Sequence, residues 1–369
     1  MQISFTPNYR ITSSIANNLM RIEAAKEKIL HLPLTPKILI SLRETAKLYT
    51  THYSTMIEGN ALNIRQITEV LKYDDHFPGR ERDEHEVKGY YRALEKLEQI
   101  VAIGSPITET TIKTLHALVM SEGDRAVKPT PYRKGQNVIK DAATRAIVYM
   151  PPEAKDVPQL MKQMVAWIND ASEIPSPIVA AIAHYQFATI HPYFDGNGRT
   201  ARLFTTLILH QRGYDLKGLY SLEEYYARNL GAYYQAISVG DSHNYYMGRA
   251  EANITEWVEY FICGMKESFE NVLKRMSNAH QEITESRSEV IDQSHILRKL
   301  DPKQRKSLEL FEKFEIITSK QIGELFGFKP RTSAKLCAEW VENGFLIVSD
   351  RSNKGRKYSL AKQFKDLLN

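Results

Sequence analysis

Apolar positions recur at spacings of three and four along most of the chain, which predicts a mainly helical fold. Residues 11–32 carry the first such stripe, ended by Pro33 and Pro36. A second helix is expected from about Ile38 to Ile57, stopping before Gly59. Asn63 with Gln66 reads as a capping box for a helix over 64–72. Residues 83–103 form the next, with Tyr90, Tyr91, Ala93, Leu94 and Leu97 on its apolar side, and Thr108 caps a helix over 109–121. The texture then changes to two short alternating runs, 136–140 and 146–152, with Asp141-Ala142-Ala143-Thr144-Arg145 as a hairpin tip and Pro151-Pro152 as the stop. Helices resume at 156–171, 178–190 and 199–212, the last closed by Gly213, and then at 222–239 and 251–276.

The final stretch follows another order. Residues 277–300 are polar but keep a helical pattern and read as a connection. Helices are expected at 303–313, 319–326 and 330–343, followed by a strand, the turn Arg351-Ser352-Asn353-Lys354-Gly355 and a second strand. Three helices and a hairpin are the order of a winged helix-turn-helix, with Cys337, Trp340 and Phe345 in its core.

Composition narrows the class. The 369 residues are 43% hydrophobic and 25% charged, which excludes a disordered or collagen-like chain. Two cysteines, Cys263 and Cys337, cannot build a disulfide framework or a cysteine-rich zinc site, and fit a reducing, cytoplasmic setting. The first twenty residues lack a signal-peptide pattern, and no run of apolar residues is long enough to span a bilayer. The net charge of +5 is carried wholly by residues 301–369, which hold 14 basic and 9 acidic side chains. In that tail Lys329, Arg331 and Lys335 accompany the third helix, and Arg351, Lys354, Arg356 and Lys357 the wing. That placement fits DNA as a partner of the tail, with protein contact or dimerisation as the competing use.

The chemistry concentrates in His191-Pro192-Tyr193-Phe194-Asp195-Gly196-Asn197-Gly198-Arg199-Thr200-Ala201-Arg202, between two helices. Glycines at a helix start bare the backbone N–H groups that have no intrahelical acceptor, a ready anion site. Cations in a first helical turn cost about 0.3–1 kcal/mol each, so Arg199 and Arg202 are not there for helix stability. On one face, three apart, they can grip one polyanion. Asp195 is placed to hold Mg²⁺ bridging phosphates, and His191 to take a proton from a hydroxyl. Taken singly, these residues read as an ordinary turn, a capping histidine or a partial calcium loop; together they describe phosphoryl or nucleotidyl transfer.

This stretch closely resembles the signature of the Fic (Fido) family, His-x-Phe-x-Asp/Glu-Gly-Asn-Gly-Arg-x-x-Arg, departing from it only in Tyr193 where phenylalanine is usual. The resemblance runs from about residue 36 to 265. It implies a Fic-type helical bundle with a small β-hairpin flap, and it suggests four parts: an N-terminal helical region (1–106), a catalytic domain (107–265), a linking helix (266–300) and the winged helix (301–369). It further implies AMP transfer from ATP to a Ser, Thr or Tyr hydroxyl of a target protein or of the chain itself. Gly198, where phosphorylating relatives carry lysine, favours AMP over phosphate. By position, His191 is the base and Asp195 the Mg²⁺ ligand. Gly196, Asn197 and Gly198 cradle the α- and β-phosphates. Arg199 holds the β-phosphate and Arg202 the γ-phosphate, with Thr200 and Ala201 completing the ATP-binding turn. Asn197 and Arg199 join His191 in the catalytic set. Tyr233 or Tyr234 is the family-spaced aromatic for adenine, against the alternative that both are core.

Ser54-Thr55-Met56-Ile57-Glu58-Gly59 resembles the family's inhibitory motif, Ser/Thr-x-x-x-Glu-Gly/Asn. Glu58 ends a helix, where a carboxylate opposes the dipole and gains from an arginine. Pairing with Arg202 would block the γ-phosphate site. Two other readings stand beside this one: AMP removal with Glu58 positioning water, and a DNA-binding regulator whose nucleotide site is a sensor or silent. The target protein and the oligomeric state, a homodimer included, stay open.

Overall fold

A hairpin of helices in the middle of the chain carries the candidate loop. α7 (Ser176–Ile190) is apolar on every side and nearly all of it is buried, as expected of a helix enclosed by others. It packs against α8 (Asn197–Gln211), and the six residues between them form the candidate loop. The computed structural model describes residues 5–31, 36–124, 126–141, 144–240, 243–286, 300–350 and 356–365.

The chain divides into two compact units. One comprises residues 1–27, 46–97 and 105–271. In chain order α1 begins at Ser13, and α2 (Pro36–Ile57), α3 (Ile64–Tyr73), α4 (Glu81–Ile103) and α5 (Glu109–Val119) precede the hairpin β1 (Ile139–Lys140) and β2 (Ile147–Tyr149). Then come α6 (Val157–Asp170), α7, α8, α9 (Leu222–Arg228), α10 (Leu230–Ile237) and α11 (Thr255–Ser286). The capping box expected at Asn63/Gln66 and the N-cap expected at Thr108 are formed. Trp257, Phe261 and Phe269 of α11 are fully buried with Phe187 and Phe204. Removing any of these large side chains would cost about 3–5 kcal/mol.

Four expectations need correction. The strands expected over 136–140 and 146–152 shrink to two and three residues. Met150 leaves the hairpin because it exchanges backbone hydrogen bonds with His243 and Tyr245, and Gln136 and Asn137 turn their side chains onto Pro151 and Tyr193 carbonyls. The helix expected over 222–239 breaks at Asn229, whose side chain caps α10 by accepting the Ala232 N–H. α8 starts two residues early, so Asn197 and Gly198 lie in its first turn. The helix expected to end at 276 runs on to Ser286, and α11 passes through residue 265 without interruption. The rest of the connection, 287–299, lies outside the described residues, as do Ala142 and Ala143 of the hairpin tip.

The second unit comprises residues 28–45, 98–104 and 272–369. It holds α12 (Pro302–Lys313), β3 (Ile317–Thr318), α13 (Ser319–Phe326), α14 (Pro330–Glu342), β4 (Leu346–Asp350), β5 (Lys357–Leu360) and α15 (Lys362–Lys365). β3, too short to announce itself by alternation, joins an antiparallel sheet of order β3-β5-β4. Cys337, Trp340 and Phe345 are buried in its core with Leu308, Phe311 and Phe326, as expected. The turn with Arg351 and Lys354 lies outside the described residues. No helix among the described residues is long and apolar enough to cross a membrane.

Candidate active site

The loop is built on two left-handed residues. His191 ends α7 with φ 50°, its N–H bonded to the Phe187 carbonyl. Gly196 opens α8 with φ 72°, and a Cβ there would lie 2.6 Å from Met120 Sδ. Left-handed backbone at a non-glycine residue costs energy that the surroundings must hold in place. Arg133 holds it: its Nε donates to the His191 carbonyl at 3.0 Å, its Nη1 to Gly135 at 3.0 Å and its Nη2 to Pro152. His191 is thereby tied to the base of the hairpin.

Tyr193 anchors the loop from within. Its ring is buried and stacks on His116 at 3.5 Å between centroids. The hydroxyl that phenylalanine would lack finds no hydrogen-bond partner among the described residues. His116 in turn meets the Asp195 carbonyl at 3.0 Å through Nε2. Burial first, and then Arg199, pull His116 down to about 4 against the opposing pull of that carbonyl, so the ring is neutral at physiological pH. Asn197 folds its side chain back, accepting the Tyr193 N–H at 3.0 Å and donating to the Tyr193 carbonyl at 2.8 Å. Its side-chain amide therefore serves loop geometry. Thr200 and Ala201 are wholly buried beneath the turn.

The two arginines have sunk into the fold, Arg199 at 2% and Arg202 at 1% exposure. Arg202 donates from Nε to Ser54 Oγ at 2.9 Å, and from Nη2 to the Ser54 carbonyl at 2.7 Å and to Glu58 Oε1 at 2.9 Å. The expected pair of Glu58 and Arg202 is thus present. Burial opposes the charge on Arg202, but Glu58, Tyr233 and Tyr90 together hold its pKa above the ordinary value. Glu58 itself hangs over the helix start: a Cβ on Gly198 would come within 2.1 Å of its carboxylate. Gly198 is what allows that approach. Arg199 lies 3.6 Å from Glu86 and 3.6 Å from Asp195.

Burial also drives His191 down to about 4, outweighing a hydrogen bond to Ala188 and the nearby charges of Glu58 and Asp195, which favour protonation. The imidazole is therefore an unprotonated acceptor at neutral pH. Asp195 is largely exposed, with Oδ1 accepting the Gly196 N–H at 2.6 Å. Tyr233 is buried, its hydroxyl 3.0 Å from His184, whereas Tyr234 is 46% exposed and reaches the Ile57 carbonyl at 3.4 Å.

Sequence reasoning missed Glu86, Arg133 and His116. Glu86 and His116 carried a signal, a polar residue inside an apolar stripe: Glu86 shares its face with Tyr90, Ala93 and Leu97, and His116 sits a turn from Ile112. Glu86 also holds the loop that follows α2, accepting from Asn60 Nδ2 at 3.2 Å. Arg133, in a loop, carried none.

Residues 106–209 match the sequence model of the Fic/DOC family. The chain is 30% identical over 291 residues to the protein adenylyltransferase fic-1 of Caenorhabditis elegans, covering 76% of this chain and 53% of that protein. It is 30% identical over 215 residues to the protein adenylyltransferase Fic of Drosophila erecta, covering 56% and 42%. The chain thus spans about half the length of the curated relatives it matches. A solved Fic family protein from Desulfovibrio desulfuricans superposes with a TM-score of 0.60 at 21% identity, over 97% of this chain and 99% of that one. A fragment of Fic-1 from C. elegans gives 0.57 at 24% identity, over 72% and 73%. These two likenesses concern the fold.

Proposed function

We propose that this Fic-family protein is a protein adenylyltransferase, held in check by its own Glu58. One observation carries the reading: two almost fully buried guanidinium groups stand at the start of α8, beside an unprotonated imidazole, with the Glu58 carboxylate paired to Arg202. Stability would not select that arrangement, because buried cations at the positive end of a helix are doubly unfavourable. A triphosphate would compensate both.

In this reading the chain of ATP lies over the first turn of α8. Its phosphates meet the N–H groups of Asn197, Gly198 and Arg199, which precede the first intrahelical bond, from Thr200 to Gly196. Arg199 holds the β-phosphate and Arg202 the γ-phosphate. Asp195 would hold Mg²⁺. Its exposed carboxylate keeps one oxygen outside the Gly196 hydrogen bond, and magnesium commonly takes one or two carboxylates together with substrate phosphates. When bound, the ion would supply charge neutralisation of the phosphates. His191 accepts the proton of a Ser, Thr or Tyr hydroxyl, the hydroxyl oxygen bonds to the α-phosphorus, and the bond from that phosphorus to the bridging oxygen breaks. Pyrophosphate leaves with the bonding pair. Tyr234, exposed beside the end of α2, is the better placed of the two tyrosines to meet the base, since Tyr233 is enclosed. Intact mass after incubation with ATP tests the reaction. A gain of one AMP is expected; a gain of phosphate, or no gain once Glu58 is replaced, would give way to the phosphorylating or the sensing alternative.

The depressed His191 pKa sets a pH dependence. The base form is lost only as pH falls through about 4, so kcat/KM should hold to well below the 6.5 of a free imidazole. An acid limb centred at 6.5 or above would show that the ring is not buried in the working enzyme.

For the tail we propose a winged helix that takes duplex DNA. The order α12, α13, α14, β4, β5 supports it, and so does the exposure of Lys329, Arg331, Lys335, Arg356 and Lys357. If all five reach phosphates, log affinity should fall with log salt at a slope of roughly −4.5. Binding that is insensitive to salt would assign the unit to protein contacts instead.

A further inference from the structure

α5 packs against α8 and supports the candidate loop at two points one helical turn apart. Met120, the C-cap of α5, sets its sulfur 2.6 Å from where a Cβ on Gly196 would lie and 3.9 Å from Arg199 Nη2. His116, one turn earlier, stacks its ring on Tyr193 and brings Nε2 to 3.0 Å from the Asp195 carbonyl. The peptide between Asp195 and Gly196 is thus held on both sides: its carbonyl by His116, its N–H by Asp195 Oδ1 at 2.6 Å. The Gly196 carbonyl then accepts the Thr200 N–H at 2.9 Å, the first bond of α8. The direction of that peptide therefore decides where the Asp195 carboxylate stands and how the helix start faces a ligand.

A carbonyl can only accept, so the neutral ring carries its proton on Nε2 and leaves Nδ1 bare. Nδ1 is buried and meets no hydrogen-bond partner among the described residues. Packing does not explain that choice. Phenylalanine would keep the stack on Tyr193 and bury no orphaned nitrogen, losing only the bond to Asp195. We propose that His116 is a positioning residue for the transfer: by donating from Nε2 to the Asp195 carbonyl it fixes the turn from Asp195 to Gly196, and with it the carboxylate and the backbone N–H groups that meet the phosphates. The competing account makes His116 a buried core aromatic whose ring alone counts.

The inference rests on the adenylyltransferase reading, and side-chain shape provides the test. Every protein carries Glu58→Gly so that the site is open. His116→Phe keeps a ring against Tyr193 and removes the donor. His116→Gln gives up the ring and can set an amide N–H near the position of Nε2. Single-turnover AMP transfer from α-labelled ATP, ATP affinity by calorimetry and a melting curve are measured for each. His116→Phe should lose about 10- to 100-fold in transfer, whereas His116→Gln should stay within about threefold of the parent although it melts lower. ATP affinity should follow the same order, falling about tenfold with His116→Phe and little with His116→Gln. His116→Met, of glutamine's length but without a donor, should behave as His116→Phe does, and answers the question if His116→Phe does not fold. A packing role reverses the order: His116→Phe would transfer at the parental rate and His116→Gln would be the damaged protein. That reversal, or equal loss in His116→Gln and His116→Met, overturns the role of His116 alone. If the Glu58→Gly parent transfers no AMP, the adenylyltransferase reading fails and the inference falls with it.

Discussion

Replacing Glu58 with glycine is expected to raise auto-adenylylation by about 5- to 150-fold, the range of a typical coupling between two states. The carboxylate makes a 2.9 Å ion pair with Arg202 and crowds Gly198, so it holds the charge and the volume that a phosphate would need. The same substitution should lower stability. A buried guanidinium loses one counter-charge, although Glu58 is partly solvated, so the cost is about 1–2 kcal/mol. Activity and stability should therefore move in opposite directions, which an ordinary damaging mutation does not do. At an ATP concentration a hundred times the variant's Kd, the variant should gain about 2.7 kcal/mol, and the native chain, which binds less tightly, should gain less at that same concentration. Label incorporation from α-labelled ATP together with a melting curve measures both. Equal incorporation by the two proteins would remove the brake from the account.

His191→Ala should lose about 10²- to 10⁴-fold in transfer, the usual contribution of a positioned base. ATP affinity should stay within about twofold, because the phosphate contacts belong to α8 and not to α7. The measurement is single-turnover transfer in the Glu58→Gly background, where the signal is largest. Persistent label at the parental rate would show that the hydroxyl proton goes elsewhere.

Much of the fold was legible because helices with buried stripes announce themselves: α3, α5 and α13 begin at caps that can be read residue by residue. Shorter elements escaped. β3 has two residues, too few to alternate, and Met150 follows a partner nearly a hundred positions away. The site was legible in its parts, since Gly196 to Arg202 is a continuous string. Its support was not. Glu86 and His116 look in sequence like polar residues on ordinary helices, and only packing shows that each one faces inward. Tyr193 was visible as an odd hydroxyl, but its stacking on His116 comes from a helix more than seventy positions earlier.

Arg133 joins the carbonyl of His191 to both ends of the hairpin. If an extended peptide pairs with that hairpin's edge, its residues advance in steps of about 3.3 Å from a fixed origin. Which hydroxyl reaches the imidazole would then be decided by counting along the backbone, much as a ruler clamped at its zero mark selects a length whatever material is laid against it.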